Sequence, residues 1–168
     1  TANGPQPLAR FVTVLSSTRE SSRVRKDLRP AIYITGDVAG AIAAHRESIR
    51  LDPSSPIAEN NLSGALEKAG DLAGAEGAYR RAIEVDPRYA RAYSNLGALL
   101  HRKGDIEGAI EVFRALVRQR PELSAAHLNL GLTLAEKGQF PEALKEYQVA
   151  LELDPKDPVA RHELATVM

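Results

Sequence analysis

The four histidines, His45, His101, His127 and His162, are the side chains of this sequence best suited to general acid–base work or to holding a transition metal. A helical zinc site needs a second histidine one turn away, yet no two histidines stand at i, i+4 and no HExxH stretch occurs. Each lies on a different predicted helix, and His127 occupies a place expected to be aromatic, so packing is its expected role. The glycine turns lack the Lys-Ser/Thr of a phosphate loop, and Ser16, Ser17, Ser21 and Ser22 belong to no GxSxG elbow. With no cysteine, thiolate nucleophiles and thiolate zinc ligands are excluded. The sequence therefore predicts no catalytic residue, no metal and no cofactor.

What recurs is the carboxamide. Asn61, Asn95 and Asn129 stand 34 residues apart in the phrases NLSGAL, NLGALL and NLGLTL. Inside a helix each is worse than Ala by about 0.5–0.7 kcal/mol. A carboxamide both donates and accepts, so a row of them can pair with a peptide N–H and C=O whatever the peptide's side chains are.

The period of 34 organises most of the chain. Gly36-Asp37, Gly70-Asp71, Gly104-Asp105 and Gly138-Gln139 keep it, as do Pro53, Pro87, Pro121 and Pro155 and the series Ala41, Ala75, Ala109, Ala143. The predicted units are 22–55, 56–89, 90–123 and 124–157, each of two helices. In 90–123 the first stripe is Tyr93, Leu96, Gly97 and Leu100; Gly104 supplies a left-handed stop and Asp105 a cap. The second stripe is Ile106, Ala109, Ile110, Phe113, Leu116 and Val117, closed by Pro121.

Tyr93-x2-Leu96-Gly97-x2-Leu100, Ala109-x3-Phe113 and Pro121 resemble the tetratricopeptide repeat, with Tyr in the usual Trp place and Leu in the usual Tyr place. His127, Leu130, Gly131, Leu134, Ala143, Tyr147 and Pro155 repeat the pattern. Unit 56–89 departs from it at Glu59, in the aromatic place, and Ser63, in the glycine place. Unit 22–55 is divergent, with Arg25 and Arg29 where a stripe is expected and His45 for the aromatic; residues 1–21 are left open between a degenerate helix and an irregular segment. The resemblance implies an all-α, right-handed superhelical solenoid of antiparallel helix pairs.

At 100° per residue, places two, six, nine and thirteen of a first helix face away from its stripe. The asparagines occupy place six, and the resemblance puts them on the concave groove. The expected peptide-binding residues are Asn61, Asn95 and Asn129 with Lys68, Arg91, Ala98, His101, Arg102, Ala125, Leu128 and Leu132. Basic groups in one unit and apolar ones in the next suit a protein or peptide ligand with acidic and apolar residues. The series resembles that of the O-linked N-acetylglucosamine transferase arrays in its groove alone. A clamp for the acidic terminus of chaperones is not expected: Arg91, Asn95 and Asn129 suit it, but Val159 and Glu163 follow, and Glu163 would repel a carboxylate.

Zero net charge selects neither nucleic acid nor an anionic membrane, and Glu20 and Asp27 interrupt the basic run from Arg19 to Arg29. The apolar runs are too short to span a bilayer. Compartment stays unknown, with a soluble cytoplasmic protein preferred. The opening TANGPQ, without Met, leads us to expect a fragment or a processed chain. Residues 158–168 read as a C-terminal helix, either a cap or the start of a further unit, whose apolar Val159, Leu164, Val167 and Met168 would allow a homo-oligomer. The expected function is a non-catalytic scaffold; the alternatives are a self-assembly module or the targeting array of a larger enzyme.

Overall fold

The computed structural model describes residues 38–167, and the readings for 1–37, including the divergent first helix of 22–55, lie outside the described residues. Those described form eight helices: α1 (Val38–Leu51), α2 (Pro56–Lys68), α3 (Leu72–Val85), α4 (Ala90–Arg102), α5 (Ile106–Gln119), α6 (Ser124–Glu136), α7 (Phe140–Leu153) and α8 (Pro158–Val167). Helix starts recur every 34 residues, at 56, 90, 124 and 158 and at 38, 72, 106 and 140. Local chemistry sets these limits. Gly70, Gly104 and Gly138 adopt φ of 81°, 79° and 82°, a left-handed turn that a Cβ would oppose. The carboxylates of Asp71 and Asp105 then accept from the amides of Gly74 and Gly108, satisfying donors that open α3 and α5.

Each helix packs on its chain neighbours, and among the first helices α2 also touches α4 and α6 touches α8. This is an all-α solenoid whose core runs through the stack: Leu62, Leu66, Ala75, Tyr79, Leu96, Leu100, Ala109, Ile110, Phe113, Leu130, Leu134, Ala143 and Tyr147 form one buried cluster. The stripe residues are thus where helical spacing placed them. Small residues set the helix approach. A Cβ on Gly97 would lie 2.3 Å from the tip of the Phe113 ring, and one on Gly131 would lie 2.7 Å from Tyr147. At the equivalent Ser63, fully buried, the hydroxyl turns back to donate to the Glu59 carbonyl at 2.8 Å, so its polar atom is satisfied within its own helix.

The aromatic place of the first helix has a second duty. The Tyr93 hydroxyl donates to the Pro87 carbonyl at 3.1 Å, His127 Nε2 faces the Pro121 carbonyl at 3.0 Å, and the Arg161 guanidinium donates to the Pro155 carbonyl at 2.7 Å. Three residue types thus tie the incoming turn to the next helix. His127 is buried and its Nδ1 lies 2.7 Å from Glu146, so both ring nitrogens have partners inside the fold. Glu59, in the same place of α2, cannot donate; buried, it accepts instead from Arg81 at 3.2 Å.

Ion pairs brace the outer seams, and one of them titrates. Hydrogen bonds from Lys103 first and Arg80 second hold the Glu76 carboxyl below its ordinary value. A carboxyl with a depressed folded pKa stabilises the fold above its unfolded value, and that stabilisation is lost as pH falls through the folded one. Melting temperature should therefore drop more in wild type than in Glu76→Gln between pH 6 and about pH 3, where carboxylates protonate. Equal drops would show that the Lys103 link between α3 and α4 contributes nothing.

Candidate functional site

The face left by the stripes carries the sequence-predicted residues on the first helices α2, α4 and α6. Asn61 is exposed, while Asn95 and Asn129 are half-buried. Their partners differ. The Asn95 carboxamide donates to Asn60 Oδ1 at 2.9 Å, joining α4 to α2. No side-chain hydrogen bond engages Asn61 or Asn129 among the described residues, so both amides are free for an external partner. Asn60, buried and one residue before the series, was not anticipated.

Between α4 and α6 the face opens into a cavity of about 390 Å³ lined by Ala98, His101, Arg102, Phe113, Asn129, Leu132, Thr133 and Glu136. Five of these belong to the predicted set: Ala98, His101, Arg102, Asn129 and Leu132. The floor is Phe113, a residue of α5 that sequence reasoning assigned to the core alone. Its ring lies against the α4 backbone because Gly97 has no side chain, and Ala98 adds only a methyl, so space remains above it. Thr133, which also lines the cavity, donates its hydroxyl to the Asn129 carbonyl at 2.8 Å.

The cations divide into paired and free. Arg102 pairs with Glu67 of α2, and His101 pairs with Glu136 of α6 across the mouth of the cavity. Glu67 also accepts from the Tyr79 hydroxyl at 2.5 Å. Burial, then that hydrogen bond and the Glu67 charge, push the Tyr79 phenol up. Lys68 and Arg91 are exposed and form no ion pair among the described residues. An anionic ligand would meet these two unopposed, whereas His101 and Arg102 are already engaged by carboxylates.

The remaining predicted residues lie apart from the cavity. Ala125 is exposed at the start of α6, and Leu128 is half-buried against the core cluster. On α8, Glu163 takes the place-six position of the asparagines and is half-buried, with no ion pair among the described residues. Its charge acts on Tyr147, whose phenol is pushed up to about 12, chiefly by burial and secondarily by Glu163. Among the described residues no group of three or more His, Asp or Glu could hold a metal, and no helix is long and apolar enough to cross a membrane.

Family models described as tetratricopeptide repeat match residues 60–124 and 100–167. No curated protein matches the sequence. Among solved structures, MamA is 27% identical with a TM-score of 0.66, over 89% of this chain and 87% of that one. Pseudomonas aeruginosa pilF is 25% identical with a TM-score of 0.68, over 84% of this chain and 64% of that one. The first such domain of Spaghetti (RPAP3), bound to the HSP90 peptide SRMEEVD, is 21% identical with a TM-score of 0.61, over 69% of this chain and 92% of that one. That last likeness concerns the fold alone.

Proposed function

Because the chain belongs to the tetratricopeptide repeat family, whose two matches together run from residue 60 to 167, we propose that it is a non-catalytic scaffold that binds an extended protein segment along α2, α4 and α6. The observation that carries this reading is the row of carboxamides, Asn61, Asn95 and Asn129, one per first helix, with a cavity beside the third. Neighbouring helices pack about 8–10 Å apart and an extended chain advances about 3.3 Å per residue, so one amide meets every third ligand residue. Lys68 and Arg91 add a preference for acidic residues at the α2 and α4 end, and Leu132 and Ala125 for apolar ones beyond it. That the fold accommodates a peptide is supported by the Spaghetti structure.

Each amide contributes about 0.5–1.5 kcal/mol net, and Asn95 gives least because it would have to share or break its bond to Asn60. The Asn61→Ala, Asn95→Ala, Asn129→Ala triple variant should therefore bind partner segments about ten- to a hundredfold more weakly, by titration, while its helical content stays unchanged. Equal affinity in the folded triple variant would reject the groove reading.

A further inference from the structure

The cavity between α4 and α6 and the charges on either side of it say more about the ligand than the amide row does. Its floor and walls are apolar at Phe113, Ala98 and Leu132, and Phe113 is held in place by the core beneath it. Here the row of amides adjoins a hollow: Asn129 lines it with a carboxamide that makes no side-chain hydrogen bond among the described residues, whereas Asn95 is tied to Asn60. A bound chain whose backbone pairs with Asn129 would direct a neighbouring side chain into the hollow. About 390 Å³ accommodates one large side chain with room around it.

Beyond the cavity the face changes sign. Toward α2 lies the unpaired Lys68; toward α8 lies Glu163, half-buried and without an ion pair among the described residues. Both are on first helices about one and a half helix spacings from the cavity, roughly 12–15 Å, which an extended chain covers in about four residues. Beside the cavity itself Arg102 is engaged by Glu67 and His101 by Glu136, so neither stands there as a free cation.

Resting on the groove reading above, we infer that the cavity takes one large apolar side chain, Leu, Met or Phe, of a bipolar partner segment. About four residues to the α2 side of this anchor the segment carries an acidic residue, and about four to the α8 side a basic one. The amides hold the backbone, the cavity selects the anchor, and Lys68 and Glu163 fix which way the charged ends lie. Burying such an anchor is worth about ten- to a hundredfold in affinity.

Selection of random 12-residue peptides displayed on phage against the full chain tests this. The enriched peptides should share one Leu, Met or Phe flanked on opposite sides by acidic and basic residues at that spacing. A synthetic consensus peptide, with its ends blocked, should then lose at least tenfold in affinity for Ala98→Trp. That substitution obstructs the cavity from an exposed position and should leave the melting temperature unchanged. Leu132→Gln, which wets the wall, should weaken binding in the same direction. Glu163→Lys should turn the preference at the basic position into an acidic one. Enriched peptides without the apolar position, or unchanged affinity for both Ala98→Trp and Leu132→Gln, would overturn the cavity assignment while loss of binding in the triple Asn variant kept the groove. Failure to enrich any peptide, or equal binding by the triple variant, would overturn both.

Discussion

Replacing Phe113 with Ala should lower the unfolding free energy by about 3–5 kcal/mol, the range for truncating a buried Phe, and should reverse the sign of a second substitution nearby. The ring is almost fully buried, and its tip lies where a Cβ on Gly97 would be, at 2.3 Å. Gly97→Ala in the wild-type background forces that ring toward the cavity it floors, an overpacking cost of about 1–3 kcal/mol. Ala in place of a mid-helix Gly returns about 0.5–1 kcal/mol. The single variant should thus be destabilised by roughly 1 kcal/mol and should narrow the cavity. With Phe113 already Ala, only the helix-propensity gain remains, so Gly97→Ala should stabilise. Urea titrations of the four proteins would give a coupling of about 1–3 kcal/mol between the two sites. Additive effects would mean that the ring is free to leave the α4 backbone, and that the missing side chain at Gly97 does not shape the cavity.

The pairing of Gly97 with Phe113 illustrates what was legible before any coordinates. Residues compared at equal places of the repeat, 34 apart, disclosed the helix starts, the left-handed glycines, the Asp caps and the common face of Asn61, Asn95 and Asn129. Contacts across the seam between first helices were not legible in that way. Asn60 meets Asn95, Glu67 meets Arg102 and His101 meets Glu136, and in all three the partners are 35 residues apart. Adjacent helices of a twisted stack meet one place out of register, so a comparison of equal places passes over the pairs that touch. For the same reason His101 and Arg102 read as free groove groups, while the carboxylates that engage them stayed unnoticed. Phe113 was read correctly as core, but the cavity above it depends on how close its ring comes to α4, a distance that spacing alone does not give.

The residue at place twelve of the first helix separates two tyrosines that look equivalent. Tyr79 and Tyr147 occupy the same place of their units, with Phe113 between them in the series, and both are buried. The residue twelve before each is Glu67 for Tyr79, His101 for Phe113 and Ala135 for Tyr147. Tyr79 therefore has an acceptor, 2.5 Å away on Glu67, whereas the buried Tyr147 hydroxyl has no hydrogen-bond partner among the described residues. Beside burial, the charge of Glu163 raises its pKa without accepting its proton in a hydrogen bond. The same conservative change should then act with opposite sign at the two positions. Tyr79→Phe removes a bond to a charged acceptor, worth about 1.5–3 kcal/mol, and leaves Glu67 to Arg102 alone. Tyr147→Phe removes a buried, unsatisfied hydroxyl that costs about 1–3 kcal/mol, and should stabilise by up to that amount. Melting temperatures of the two variants should fall below and rise above wild type respectively. A drop for Tyr147→Phe as large as that for Tyr79→Phe would mean that the hydroxyl finds an acceptor in solution, Glu163 being the one within electrostatic reach. In that event Glu163 would be partly engaged inside the fold, and its charge would count for less in choosing the basic residue of a ligand.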